Sequence, residues 1–343
     1  MLRRALYGMM KGAGGGGGGG ASIAVAHSTS PFITTYPWNL GFGTKYSDPA
    51  TLPAWTGKDV KFSPNGADLA VIHSDTPFIA AYPWSSGFGT KYSNPATLPT
   101  GPCSGVAFSP NGVAIAVSHN VSPYITAYPW SAGFGTKYAN PASLPPGDGY
   151  CKLAFSPNSA TIITGSVTSP YIVAYPWSPG FGTKYADPAT LPTGNVNGVA
   201  FSPDGTVVAV AHSTSPFIAA YPWSSGFGTK YANPATLPPH NGRSVSFSPS
   251  GTTIAVGTAA SPYILAYPWS AGFGTVYSNP ATLPTGQIIG NSFSPDGANL
   301  AVATEGSPFV MVYPWSSGFG TKYSDPATLP ASYGYGVAFS PVV

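Results

Sequence analysis

The 343 residues carry a formal net charge of only +3, with 7% charged side chains against a usual share of about 25%. The chain is instead rich in glycine (43), proline (39) and aromatics (14%). That composition excludes a disordered chain, which has few aromatics and high net charge, and a basic nucleic-acid-binding surface. No apolar run approaches the roughly 20 residues of a membrane-spanning helix.

The chain opens on MLRRALYGMM, which is too short in apolar residues to form a signal-peptide core. GAGGGGGGG follows at 12–20 and reads as a tether. Residues 1–20 are therefore expected to form an anchor, with Leu2, Arg3, Arg4, Leu6, Tyr7, Met9 and Met10 as its contact residues. Residues 21–343 form a second unit.

From residue 21 the chain repeats itself. YPW places Trp38, Trp84, Trp130, Trp177, Trp223, Trp269 and Trp315 at spacings of 46 or 47. FSP places Phe62, Phe108, Phe155, Phe201, Phe247, Phe293 and Phe339 at the same period. A period in this range marks propellers and solenoids. One unit reads GVAFSPDGTVVAVAHSTSPFIAAYPWSSGFGTKYANPATLP at 198–238. GVAF ends at the turn SPDG, TVVAVAH is a β-branched run ending at STSP, FIAAYPW alternates large and small residues, and GFGTKY follows a Ser-Gly turn. The unit predicts four antiparallel strands and no helix.

The two markers are offset. The first YPW has no FSP before it, and the last FSP has no YPW after it. This predicts an all-β, seven-bladed β-propeller in which the strand from Gly334 completes the blade begun at residue 21 and closes the ring. The repeated Tyr36, Trp38, Phe42 and Tyr46 with their counterparts are expected between blades. The lysines of TKY, such as Lys45 and Lys91, are expected on the outermost strand as solvated edge protection.

GVAFSPDG followed by VVAVAHSTSPFIAAYPW resembles the WD40-like propeller repeat, over residues 21–343. The Gly-His pair of that family is missing, and YPW stands where Trp-Asp would be. The GFGTKYxNPATLP half is similar to repeats in predicted virion proteins of tailed phages. That resemblance implies a phage structural protein, held to other virion proteins through residues 1–20 and located in a virion or outside the cell.

Function is expected where the copies differ, in the segments between TLP and FSP. These offer Trp55, Lys58, Asp59, Asp148, Tyr150, Asn197, His240, Asn241, Arg243, Gln287, Tyr333 and Tyr335 on the face usually called the top. Aromatics mixed with amides and few charges suit a host-surface glycan or a protein; the same residues also serve as ordinary loop residues. His27, His73, His119 and His212 recur at one strand end and are expected to bond to their own turns. Cys103 and Cys151 read as free thiols. No G-x-S-x-G, Walker loop or HExxH appears, and only Asp59, Asp75, Asp148 and Glu305 are acids expected on the top face. The expectation is a non-enzymatic virion component for decoration, tail or host attachment, without cofactor or metal. The alternative is a carbohydrate- or protein-binding propeller unrelated to virions.

Overall fold

A computed structural model describes residues 21–147 and 152–341. It contains seven antiparallel sheets of three strands each, and the described residues include no helix. The chain is a seven-bladed β-propeller.

Each blade is set by local chemistry. The middle strand, Ser22–His27 in the first blade, is buried at every position because a neighbouring blade covers each of its faces. The innermost strand of the next blade, Gly57–Phe62, opens to the central channel at Lys58 and Lys61, and a register shift between Gly57 and Asp59 interrupts its alternation. The FSP turn that follows is closed by Ser63, whose N–H donates to the Asp68 carbonyl at 2.9 Å. The Ser63 hydroxyl accepts from the Asp68 N–H at 2.9 Å. Gly66 takes φ 69°, which this turn requires and glycine adopts without cost.

The ring closes as the repeat offset requires. Gly334–Phe339 pairs antiparallel with Ser22–His27, in the register Val25↔Val337, and Ser22–His27 pairs on its other side with Ile33–Pro37. The Ser22 N–H also donates to the Ser340 hydroxyl at 2.8 Å.

Aromatic residues fill the spaces between blades. Trp84 meets Tyr46 of the preceding repeat and Phe62 and Phe88 of its own, all edge-on at 5.1–5.4 Å. Tyr82 donates its hydroxyl hydrogen to the Thr51 carbonyl of the preceding repeat, and Tyr36 to Thr328 across the closure.

One expectation needs correction. GFGTKY does not extend the sheet as a fourth strand. Trp38 and Phe42 form one isolated bridge, and Gly43 and Tyr46 each donate one hydrogen bond back, to Pro37 and Thr35. The partner strand ends in Pro37, which has no N–H to return, so no ladder propagates. The TKY lysines accordingly sit on an irregular outer segment. Lys45 pairs with Asp48 at 2.5 Å, three residues on.

Candidate functional site

The top face carries the variable loops and the turns after the middle strands. There the seven innermost strands open into a pocket of about 510 Å³. Lys58, Lys152, Arg243 and Glu305 line it, together with Ser74, Ser104, Asn197 and Tyr335. Lys58 and Arg243 each stand second in an innermost strand, the channel-facing position. Glu305 follows the middle strand Asn299–Thr304 at its top end.

Three cations and one carboxylate meet in this pocket, and each is held. The Lys58 ammonium lies 3.9 Å from the centre of the Tyr335 ring. Burial lowers the pKa of Lys58 from its ordinary value. Arg243 Nη2 donates to Gln287 Oε1 at 3.0 Å, and Gln287 Nε2 donates to Glu305 Oε2 at 3.0 Å. The relay fixes both charged ends. Arg243 Nε is buried without a partner, while the guanidinium as a whole lines the pocket.

Lys152 forms the floor. Its ammonium reaches past the intervening strand Cys103–Phe108 to Asp59 Oδ2 at 3.1 Å and donates to the Lys58 carbonyl at 3.2 Å. Burial by itself would raise the Asp59 carboxyl, but Lys152 and Lys61 outweigh it and hold the pKa below its ordinary value. Gly336 gives the carboxylate its space, since a Cβ there would lie 2.8 Å from Asp59 Oδ1.

The sequence-selected residues divide into groups. Lys58, Asn197, Arg243 and Tyr335 reach the pocket, and Gln287 orients Arg243 and Glu305. Asn197 also donates to the Gly242 carbonyl at 2.8 Å. Asp59 is not on the top surface: it is 3% exposed and belongs to the strand Gly57–Phe62, below the loop. Trp55 and Tyr333 are exposed outside the pocket, and His240 stacks on Phe217 with centroids 6.2 Å apart. Asn241 accepts from the Ala259 N–H through its carbonyl. Asp148, Tyr150, Cys151 and the proposed anchor residues Leu2, Arg3, Arg4, Leu6, Tyr7, Met9 and Met10 lie outside the described residues.

Sequence reasoning missed Lys152. Its signal was available, because Lys152 stands where other repeats have Gly105, Gly198, Gly290 and Gly336. The repeated histidines are fully buried. His119 Nδ1 lies 2.7 Å from the Val121 carbonyl of its own turn, and Nε2 of His27 and His119 lie 2.8 and 2.9 Å from Thr34 and Thr126. Cys103 is buried, and burial pushes its thiol up, away from the thiolate.

The family described as WD domain, G-beta repeat matches residues 188–215, in keeping with a WD40-like propeller. A search of curated proteins finds no match. Among solved structures, a candidate 6-phosphogluconolactonase from Bacteroides fragilis NCTC 9343 is similar at TM-score 0.74 and 13% identity, covering 94% of this chain and 98% of that one. A candidate 6-phosphogluconolactonase from Bacteroides uniformis ATCC 8492 is similar at TM-score 0.68 and 15% identity, covering 94% and 99%. The periplasmic gluconolactonase of Pseudomonas aeruginosa is similar at TM-score 0.68 and 15% identity, covering 94% and 100%. At these identities the likeness is one of fold.

These findings correct the functional expectation. Three of the similar structures are bacterial proteins described as lactonases or candidate lactonases, and nothing connects the chain with a tailed-phage particle. The expectation of no enzymatic activity falls with it. It rested on missing nucleophile and metal motifs and on the need for two close carboxylates. Opening an activated ester such as a lactone needs one base and a donor for the oxyanion, and neither requires a sequence motif. No helix among the described residues is long and apolar enough to cross a membrane.

Proposed function

We propose that the chain is a hydrolase of sugar lactones, acting in the top pocket. The observation that carries this reading is the convergence of Lys58, Lys152 and Arg243 on the same space as Glu305. A sugar lactone is a polyol with one electrophilic carbonyl, and its product is an anion. Ser74, Ser104 and Asn197 supply hydrogen-bonding groups for the hydroxyls.

In this reading Glu305 takes a proton from water as the water oxygen bonds to the lactone carbonyl carbon. The Arg243 guanidinium, held by Gln287 at the pocket wall, donates to the oxyanion that forms. The tetrahedral intermediate collapses with cleavage of the ring C–O bond. The departing ring oxygen takes the proton from Glu305, and the carboxylic acid so formed loses its proton to solvent, leaving a hydroxy carboxylate that faces the cations. An extracytoplasmic setting belongs to the same reading, by likeness to the periplasmic neighbour; fractionation of the native cells tests it.

The test is ring opening of glucono-δ-lactone and of 6-phosphogluconolactone, measured above the spontaneous rate. Glu305→Gln is expected to remove at least about 100-fold of the activity while leaving the folded structure intact. Saturable gluconate binding with no acceleration of either lactone would refute hydrolysis.

A further inference from the structure

Beside the pocket is a second surface with different chemistry. Among the described residues, Trp55 and Tyr333 are the aromatic side chains left largely exposed, at 58% and 52%. Seven of the eight tryptophans belong to YPW and are buried, so Trp55 is the exception. Its indole is not loose. It stacks on Phe32 with centroids 6.3 Å apart and planes 26° apart. The outer indole face is thereby fixed toward solvent.

The two aromatics flank one turn. The Ser28 N–H donates to the Tyr333 carbonyl at 3.2 Å, and the Ser28 carbonyl accepts from Thr56 Oγ1, next to Trp55, at 3.2 Å. Ser28 and Ser332 hydroxyls lie 2.6 Å apart between them. This ledge adjoins the pocket. Lys58 is three residues beyond Trp55 and Tyr335 two beyond Tyr333, and those inner residues touch at the pocket lip. Three residues of extended chain span about 10 Å.

The Trp55 indole face, edged by hydroxyls and faced across the Ser28 turn by Tyr333, which itself packs edge-on against Phe309 at 6.3 Å, fits the apolar CH face of a pyranose ring, with no charged side chain among these residues. The charged pocket and the neutral ledge together fit one molecule. We propose that the ledge formed by Trp55 and Tyr333 binds a second sugar ring, so that the ligand is a disaccharide or longer saccharide whose terminal sugar acid or lactone occupies the pocket. The pocket half of this ligand rests on the proposed function; the ledge half does not.

Calorimetric titration of the full chain with gluconate, lactobionate, maltobionate, lactose and maltose tests it. At least one bionate is expected to bind ~10-fold more tightly than gluconate, one stacked ring's worth of affinity. Trp55→Ala and Tyr333→Ala are expected to reduce that bionate to the gluconate level without changing gluconate binding, and Trp55→Phe to restore part of the difference. Acrylamide quenching of the exposed tryptophan is expected to fall when the bionate is bound. Equal affinities of gluconate and both bionates overturn the ledge, whatever the lactone assay shows. Trp55-dependent binding of lactose or maltose without gluconate binding supports the ledge and sinks the pocket assignment.

Discussion

The outer part of each blade and the top of the innermost strands obey different rules. Outside, the same Tyr-Pro-Trp, Gly-Phe-Gly and Asn/Asp-Pro words return seven times, because each blade must present the same face to its neighbour. At the mouth the repeats diverge, most of all at the position of Lys58 and Arg243, where all seven differ, and the charged residues there are Lys58, Lys152, Arg243 and Glu305. In a ring built from copies, repetition records packing and divergence records chemistry. Substitutions in the outer part should cost stability, and substitutions at the mouth should cost binding.

The largest stability effect is expected from Trp177→Ala, which removes a side chain 5% exposed and packed edge-on against Tyr138, Phe155 and Phe181. A loss of about 3–5 kcal/mol in denaturant unfolding is expected. A loss below about 1 kcal/mol would mean that interblade packing is not what the repeats encode.

Asp59→Ala sharpens the contrast, since Asp59 is a channel residue that should behave like core. It leaves Lys152 without its counter-charge, at an expected cost of about 3 kcal/mol. The double variant Asp59→Leu with Lys152→Met should recover most of it, read by the same unfolding curves. If the double variant is as unstable as Asp59→Ala, the ion pair itself is required.

Acid probes the buried histidines. Burial lowers the pKa of His27, His73, His119 and His212 to about 4, against 6.5 for the free side chain. The unfolded chain therefore binds more protons below pH 6.5. Stability is full above that pH and falls as pH drops from about 6.5 to about 4. The loss reaches about 3 kcal/mol per histidine and levels off below the folded value. Unfolding measured from pH 7 to pH 4 checks this; an unchanged midpoint across that window would contradict the buried, neutral state.

The smallest effect separates two copies of the same position. Thr34 and Thr126 partner His27 and His119, while Ala80 stands at the matching place opposite His73, whose Nε2 has no partner. Ala80→Thr should supply it and raise stability by about 1 kcal/mol. No gain, or a loss, would show that the surrounding blade does not admit the hydroxyl.

Most of the architecture could be read from the chain because the YPW and FSP markers count blades, and their offset dictates which strand closes the ring. The outer segment was misread: GFGTKY has the look of a strand, but Pro37 beside it lacks the donor that a ladder needs. The pocket was legible in part. Divergence between copies pointed to Lys58, Arg243 and Gln287, and it could have pointed to Lys152. It could not show that Lys152 reaches Asp59, because that contact passes over another blade's strand and depends on small residues such as Gly336. Nor could motif searching reveal a site assembled from all seven blades, since no two of its charged residues lie within a local pattern.

The seam between Ser22–His27 and Gly334–Phe339 has a consequence for engineering. In this blade the innermost and middle strands are joined only by hydrogen bonds and packing, while in the other six the FSP turn links them covalently. Opening one of those turns and joining residues 341 and 21 through a two-residue turn of matching length would move the seam to another blade with the strand pairing of every blade kept. A set of such circular permutants would carry the same pocket on differently ordered chains, and the differences in their unfolding rates would measure what one covalent crossing is worth to the ring.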